Sequence, residues 1–281
     1  MSSDVEYAIN RRLKQLYEIY DPSKWLWVVN FSGGKDSSAL LTAVLNFAEK
    51  RGFEVLVLHS DTTVEIPIVS QHVKEVMGYL KKHGIKTMIL EDVPNFFTTM
   101  LKHGYGFPRW NFRWCCRIYK YGRALRYLKS LGKVVNMLGI RGDEGRAKGF
   151  IFEKGNIVTA FPLIDLNYID VWEYLKNHCQ WYNTLLKLYK HGRRLGCWVC
   201  TVVSDDPVLK YLDPELYDIK IRLVKARCKG LKYFLKTLIE AYRKRPDAFP
   251  KLIIPNNIKD TSCRGKCFEC NVRRYWWYKN K

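Results

Sequence analysis

The feature that most constrains the fold of this chain is a short glycine-containing turn between two apolar runs. The run before it, residues 25–29, is β-branched and aromatic, whereas the run after it, residues 39–47, repeats at helical spacing. The turn is therefore predicted to join a strand to a helix. Its glycines allow close approach to a ligand, and the N–H groups that open the helix favour an anion. We interpret it as a phosphate-binding loop formed by Ser32, Gly33, Gly34, Lys35, Asp36 and Ser37.

An ordinary Gly-Gly turn is the alternative interpretation, with Ser32 or Asp36 as the helix cap. The loop differs from the Walker pattern, in which four residues separate the glycines and Lys is followed by Ser or Thr. Instead, Ser-Gly-Gly-Lys-Asp-Ser resembles the pyrophosphate loop of the PP-loop ATP pyrophosphatases. This resemblance implies that the loop residues bind ATP with Mg²⁺ and that the ATP is cleaved between its α and β phosphates.

The segments after the loop alternate between strand and helix patterns. An almost continuous apolar run at 54–60 predicts a buried strand, Pro67 suits the first turn of a helix, and residues 87–90 predict another strand. This alternation predicts an α/β fold with a doubly wound, mainly parallel sheet whose ligand lies beyond the carboxyl ends of the strands. Together with the loop resemblance, it indicates the adenine nucleotide alpha hydrolase-like fold. Further elements are expected as a helix at 117–131, a strand at 133–140, a hairpin at 151–161 and a helix at 168–175.

The chain is expected to have three parts. An amphipathic N-terminal helix occupies residues 1–23, and it packs on the sheet or on a partner subunit, so a homodimer is possible. The nucleotide-binding α/β domain spans 24–180. A basic helical lobe with a cysteine-rich tail follows at 181–281, with helices predicted at 182–190, 207–225 and 231–243.

Positive charge is concentrated in the predicted helical lobe. The whole chain has a net charge of +21, and residues 181–281 hold 23 Lys and Arg against 9 Asp and Glu. A polyanion such as a nucleic acid is the natural partner for such a region, because neutralised phosphates release their counterions. General solubility and the charged surface of a thermophile are the alternatives.

Polar residues at the ends of predicted strands are candidate catalytic groups. Asp61 follows the strand at 54–60, where it could bind Mg²⁺ or cap a helix. Arg141 and Arg146 lie in a glycine-containing loop after the strand at 133–140, which suits phosphate binding but also suits a solvated loop. With Asp36 of the phosphate loop, these residues form the catalytic set that we predict.

The cysteines group in a way that indicates metal or sulfur chemistry. Neither a secretory signal nor a membrane span is expected, so the nine cysteines point to a cytoplasmic protein without a disulfide scaffold. Two close pairs can supply four soft thiolates to zinc or to an iron–sulfur cluster. Adjacent side chains diverge, which favours the larger cluster over a compact zinc ion, with metal-free cysteines as the third option. The pairs are Cys115 with Cys116 and Cys197 with Cys200, whereas Cys179 and Cys228 are expected to be buried.

This ligand spacing resembles that of the [4Fe-4S] adenylyl-sulfate reductases of the PAPS reductase family, within the PP-loop superfamily. The resemblance covers about residues 24–205 and includes Asp61-Thr62 with Glu65 and Pro67, and Gly139-Ile140-Arg141 through Arg146. It implies that the two cysteine pairs hold a [4Fe-4S] cluster.

Two features depart from the reductase pattern. Reductases have a degraded phosphate loop, whereas residues 32–37 are intact here, and this sequence lacks a Glu-Cys-Gly-like segment with a nucleophilic cysteine. The segment Gly-Cys-Trp-Val-Cys-Thr-Val-Val is similar to the corresponding segment of the Dnd sulfurtransferase component of DNA phosphorothioation. Sulfur-inserting tRNA enzymes resemble it in using ATP to activate the acceptor. This resemblance implies an ATP-dependent sulfurtransferase that receives sulfur from a cysteine desulfurase. A thioredoxin-dependent reductase and a non-catalytic nucleic-acid-binding protein are the alternatives.

Three further cysteines follow in the tail, at Cys263, Cys267 and Cys270. They could bind zinc or a second cluster, or one thiol near Lys and Arg could carry a persulfide. The sequence leaves this choice open, and it leaves open whether the sulfur acceptor is DNA, tRNA or a small molecule.

Overall fold

A computed structural model describes residues 2–109, 112–145, 149–192, 195–201 and 206–259. The helices are α1 Ser2–Ile19, α2 Lys35–Arg51, α3 Pro67–Lys82, α4 Phe96–His103, α5 Tyr121–Ser130, α6 Tyr168–His178, α7 Tyr182–Tyr189, α8 Pro207–Leu212, α9 Pro214–Lys229 and α10 Leu231–Lys244. A π-helical segment, Cys116–Lys120, directly precedes α5, and short 3₁₀ turns occur at Gly142–Glu144 and Pro246–Ala248. The strands are β1 Leu26–Asn30, β2 Val55–Ser60, β3 Lys86–Leu90, β4 Val134–Met137, β5 Ile151–Lys154 and β6 Ile157–Ala160.

The chain forms two compact units that alternate along the sequence. The first contains the described residues of 1–60, 71–90 and 123–187, and the second contains those of 61–70, 91–122 and 188–281. This division differs from the boundary expected after residue 180. The composition shifts where the basic helices begin, but packing assigns 61–70 and 91–122 to the second unit as well.

The first unit is built on a six-stranded sheet with the order β3-β2-β1-β4-β6-β5. All neighbours are parallel except β5 and β6, which form the predicted hairpin. Trp27 and Val28 are both inaccessible to solvent although adjacent side chains of a strand point to opposite faces. Trp27 stacks on Phe47 of α2, and Val28 packs with Leu128 of α5, so helices cover both faces. The prediction of a doubly wound, mainly parallel sheet is confirmed.

The order of the strands fixes where a ligand can bind. The chain passes from β1 to β2 on one side, whereas β4 pairs with the other side of β1. A crevice opens beyond the carboxyl ends of the strands at such a reversal. The phosphate loop follows β1 and the Arg141 loop follows β4, so both lie at this position.

Helix α1 packs within its own chain. The periodicity predicts a buried face of Ile9, Leu13, Leu16 and Ile19; the first three are buried, Ile19 is exposed, and α1 contacts α2 and α6. Asp165 accepts hydrogen bonds from Arg12 Nε at 2.7 Å and from Arg11 at 2.9 Å, which anchors the helix. The apolar face that suggested a homodimer contact is thus covered by the first unit, and the homodimer stays a prediction.

The second unit has an aromatic core. Phe97, Trp198, Phe234 and Phe249 are completely or almost completely buried, and the ring of Phe97 lies 5.3 to 6.3 Å from the other three. Around this core, α9 and α10 pack against each other as a helical hairpin. Gly230 ends α9 and precedes α10, so it forms the turn between them. Among the described residues of both units, none of the helices combines the length and apolar character that crossing a membrane requires.

Two expectations for the basic lobe are wrong. The helix predicted at 207–225 is two helices, because Asp213 caps α9 and Pro214 occupies its first turn, where proline cannot continue the preceding helix. Cys179 is buried as expected, but Cys228 is exposed near the end of α9.

Candidate functional site

One serine side chain, Ser37, holds the phosphate loop in shape, and no side chain caps the helix that follows it. Gly33 has a φ of 74°, which favours glycine, and the N-cap of α2 is Gly34, which supplies no side-chain cap. The Ser37 hydroxyl donates to the Gly34 carbonyl at 2.9 Å and accepts from the Ser32 N–H at 3.1 Å. The helix is therefore not capped by Ser32 or Asp36, and its positive end faces the crevice as phosphate binding requires.

Two buried cations meet at Asp36. Lys35 Nζ lies 2.6 Å from one carboxylate oxygen of Asp36, and Arg141 donates to the other. Burial lowers the pKa of Lys35, while the Asp36 carboxylate opposes this effect. Burial also acts to lower the pKa of Arg141, but its hydrogen bonds to Asp36 and Asp143 outweigh this and raise it. The arrangement brings two positive groups to the opening of α2, where they can stabilise a polyphosphate.

The sequence analysis missed the residue that orients Arg141. Asp143 accepts from Arg141 Nε at 2.8 Å and from the backbone N–H of Tyr168 at 3.1 Å, so it ties the loop after β4 to the start of α6. Gly139 allows the close approach, since a Cβ there would lie 2.8 Å from the Asp36 backbone. The available signal was the spacing of Arg141 and Asp143, because side chains two residues apart in a loop can pair.

Asp61 and Arg146 are the other two candidate catalytic residues. Asp61 belongs to the second unit, where its carboxylate accepts from the Thr63 N–H at 2.7 Å. It caps a turn rather than α3, which begins only at Pro67. Arg146 lies outside the described residues, so its role and the Mg²⁺ role of Asp61 stay predictions.

The second unit contains a cavity of about 200 Å³ whose wall includes both cysteine pairs. Two positive side chains and one carboxylate also border it. The lining residues are Thr62, Val64, Phe96, Pro108, Arg113, Cys115, Cys116, Tyr119, Lys120, Gly192, Leu195, Gly196, Cys197, Val199, Cys200, Asp206, Pro207 and Val208. None of the six cysteines in the described part of the chain forms a disulfide.

Aromatic packing positions the Cys197 pair. Trp198, which follows Cys197, is completely buried against Phe249 at 5.2 Å, and its backbone N–H donates to the Val64 carbonyl at 2.9 Å. The Cys200 N–H donates to the Cys197 carbonyl at 3.0 Å, which closes the turn between the two thiols. The buried tryptophan therefore turns the cysteines on either side of it to the cavity.

The Cys115 pair lies where the helix widens into a π turn. Trp114 is buried against Phe96 at 4.8 Å, and its indole N–H donates to the Gly106 carbonyl at 2.9 Å. The π segment begins at Cys116, and a Cβ on Gly122 would collide with the carbonyl of Arg117. Widened turns of this kind occur often at functional sites.

Lys120, which was not among the predicted site residues, is a further functional candidate. It is exposed by surface area, and it borders the cavity. The negative charge of Cys197 raises the pKa of Lys120 above its usual value, with Cys116 and Glu65 adding to this. Its position four residues after Cys116 was the available signal, since residues at that spacing share a helix face.

The cavity residues fit an iron–sulfur cluster by their chemistry. The pKa of the Cys115 thiol is raised by its hydrogen bond with Cys116, by burial and by the charges of the other cavity cysteines. Crowded thiols cannot all ionise without a positive partner, and a metal centre is such a partner. Within the described ranges, no group of three or more Cys, His or carboxylate side chains is placed to hold a metal ion. The tail cysteines Cys263, Cys267 and Cys270 lie outside the described residues.

Comparisons of the sequence agree on one family. Residues 27–203, more than half of the chain, match the model of the phosphoadenosine phosphosulfate reductase domain. An uncharacterised protein of Methanocaldococcus jannaschii is 30% identical over 76% of this chain and 51% of its own length. Adenosine 5′-phosphosulfate reductase 2 of Bacillus subtilis is 29% identical over 44% of this chain and 53% of its own. The chain thus spans about half the length of the curated relatives it matches.

A solved structure supports the fold. Phosphoadenylyl-sulfate reductase from Candida auris, in a phosphate complex, superposes with a TM-score of 0.51 over 68% of this chain and 88% of its own, at 19% sequence identity. At this identity the similarity concerns the architecture.

Proposed function

Because this chain belongs to the phosphoadenosine phosphosulfate reductase domain family, we propose that it is an ATP pyrophosphatase that activates a substrate for sulfur insertion. The observation that carries the proposal is the phosphate loop, in which α2 opens at a glycine without a side-chain cap beside buried Lys35 and Arg141. A reductase that acts on adenylyl sulfate does not need to bind β and γ phosphates, because that substrate has none.

The first half-reaction follows from these groups. The loop N–H groups and Lys35 bind the β and γ phosphates, and Arg141, held by Asp143, stabilises charge at the α phosphate. A substrate oxygen attacks the α phosphorus, the bond between the α phosphorus and the bridging oxygen breaks, and pyrophosphate leaves. Mg²⁺, when bound, neutralises the phosphate oxygens.

The second half-reaction replaces the activated oxygen by sulfur. The terminal sulfur of a persulfide, supplied by a cysteine desulfurase, attacks the atom that carries the adenylate, and AMP leaves. The acceptor is then joined to the carrier cysteine through an S–S bond. A second thiol attacks the sulfur of the carrier cysteine, forms a disulfide with it and releases the acceptor with its new sulfur. A [4Fe-4S] cluster held by Cys115, Cys116, Cys197 and Cys200 would help to position the sulfur at this cavity. Lys120 offsets negative charge at this cavity.

We propose a nucleic acid as the acceptor. Exposed basic side chains are frequent on the helices of the second unit, and the net charge of the chain is +21. Phosphate contacts of this kind strengthen binding through counterion release. DNA and tRNA are both compatible with this charge.

Reduction of adenylyl sulfate is the second candidate, which the similarity to the Bacillus subtilis reductase favours. In that reaction a cysteine attacks the sulfur of adenylyl sulfate, AMP leaves, and thioredoxin releases sulfite from the resulting thiosulfonate.

One assay separates the candidates. Anaerobically purified protein is incubated with ATP and Mg²⁺, with or without single-stranded DNA or tRNA, and pyrophosphate is measured. We expect pyrophosphate release that nucleic acid stimulates. Thioredoxin-dependent sulfite release from adenylyl sulfate without ATP turnover would reject the proposal in favour of the reductase, and nucleic-acid binding with neither activity would indicate a binding protein.

A further inference from the structure

Two exposed rings contact each other at a tilt in the second unit. The imidazole of His191, just after α7, lies 3.8 Å from the ring of Tyr211 near the end of α8, at an interplanar angle of 38°. Both residues are exposed, and Tyr211 keeps 47% of its surface accessible despite this contact. An aromatic side chain that a neighbour holds in place while it remains open to solvent is a pre-ordered surface for a planar ligand.

The charge around these rings is positive. Lys190 Nζ lies 5.9 Å from the Tyr211 ring centroid, and Lys190 and Lys210 are both exposed. Two carboxylates that are close in sequence are already engaged. Asp206 pairs with the fully buried Lys220 at 3.3 Å, and Asp213 pairs with Arg245 at 2.8 Å. A ligand here therefore meets aromatic rings and ammonium groups whose charge these carboxylates do not cancel.

The rings also border the cysteine cavity. Gly192, next to His191, lines the cavity, and a Cβ on Gly192 would collide with Val208, another lining residue. Val208 and Tyr211 are three residues apart on α8, so they lie on the same side of this helix. The two rings thus lie next to residues that line the cavity containing the cysteine thiols.

From these positions we infer that His191 and Tyr211 bind an unpaired nucleobase of a single-stranded nucleic acid, while Lys190 and Lys210 contact its backbone phosphates. Aromatic rings bind any base through its π face, and neighbouring cations follow the backbone. A base pair inside a duplex does not expose that face. The inference rests on the proposed nucleic-acid acceptor and adds that the acceptor nucleotide is presented unpaired at the cysteine cavity.

Binding of single strands and duplexes tests this inference. The probes are a short fluorescein-labelled oligothymidylate, its RNA counterpart and the matching DNA duplex, measured with the full chain by fluorescence anisotropy. We expect the wild type to prefer the single strands and Tyr211→Ala to weaken their binding about 5- to 100-fold, the range typical of one lost base stack. Tyr211→Phe keeps the ring and should bind as the wild type does. Tyr7→Ala, which removes a 68% exposed tyrosine from α1, is the matched control and should have no effect.

Two further measurements separate stacking from folding and from charge. A 2-aminopurine in the single strand should be quenched by the wild type and should recover its fluorescence with Tyr211→Ala. Lys190→Ala should instead reduce the salt dependence of binding by about one counterion. If the wild type binds neither strand type, the nucleic-acid acceptor and this inference both fail. If the wild type binds and Tyr211→Ala binds equally well without loss of quenching, only the inference fails.

Discussion

The phosphate loop and the cysteine cavity are held in shape by different forces. Around the loop, polar groups satisfy one another: Ser37 closes the turn, and Asp36 links Lys35 to Arg141. Around the cavity, buried rings such as Trp114 and Trp198 set the positions of the neighbouring thiols. The loop should therefore be sensitive to changes of charge, whereas the cavity should be sensitive to changes of volume and of ligand atoms.

Removal of a loop cation tests the first half of this contrast and has the largest expected effect. Lys35→Ala should lower pyrophosphate release about 100- to 1,000-fold, the loss typical of one preorganised transition-state contact, and should leave the iron content unchanged. Lys50→Ala, which removes an exposed lysine from the other end of α2, is the matched control. Wild-type pyrophosphate release by Lys35→Ala would show that the loop does not bind the reacting phosphates.

Removal of a cavity thiol tests the second half. Cys197→Ser replaces a soft sulfur ligand by a hard oxygen, so protein purified anaerobically should lose most of its iron and its visible absorbance. Cys228→Ser changes an exposed cysteine on α9 and should keep both. A colourless wild-type protein with one zinc per chain would overturn the cluster assignment itself.

The same contrast explains what the sequence could predict. The loop and its flanking strand and helix lie within about thirty residues, so local patterns were enough to place Ser32 to Ser37, and parallel pairing of β1 with β4 brought Arg141 to them. The cysteine pairs were recognised from spacing, but the walls of the cavity come from segments far apart in sequence. Lys120 was therefore not among the predicted site residues, and the boundary between units was expected at one position although packing divides the chain at several.

Two glycine-to-alanine substitutions compare a position beside the cysteine cavity, which has no room for a Cβ, with a position elsewhere that does. Gly122→Ala should lower the free energy of unfolding by about 1–3 kcal/mol, because its Cβ collides with the Arg117 carbonyl of the π turn beside Cys116. A Cβ on Gly78 in α3 would have no atom within 4 Å, so Gly78→Ala should raise the free energy of unfolding by about 0.5–1 kcal/mol. Urea denaturation of both variants checks this, and equal behaviour would mean that the π turn adapts without cost.

The smallest expected effect concerns charges at the surface, in contrast to the buried charges of the loop. The hydrogen bond from Arg12, with further contributions from Arg11, lowers the pKa of Asp165 below its ordinary value of 3.8. The stabilisation is therefore fully present above pH 3.8 and is lost as the pH falls through the lower pKa of the folded state. Asp165→Asn should cost less than about 1 kcal/mol at neutral pH, since the pair is partly solvated.

Thermal denaturation from pH 7 down to pH 3 checks this, because the difference between wild type and Asp165→Asn should shrink as Asp165 becomes protonated. High salt at neutral pH should shrink it as well, since exposed ion pairs are screened. Asp92→Asn, at an exposed carboxylate of the second unit, should show no such convergence. A difference as large at pH 3 as at pH 7 would mean that Asp165 holds α1 through its shape and neutral hydrogen bonds, and the ionic contrast between surface and loop would then rest on the loop alone.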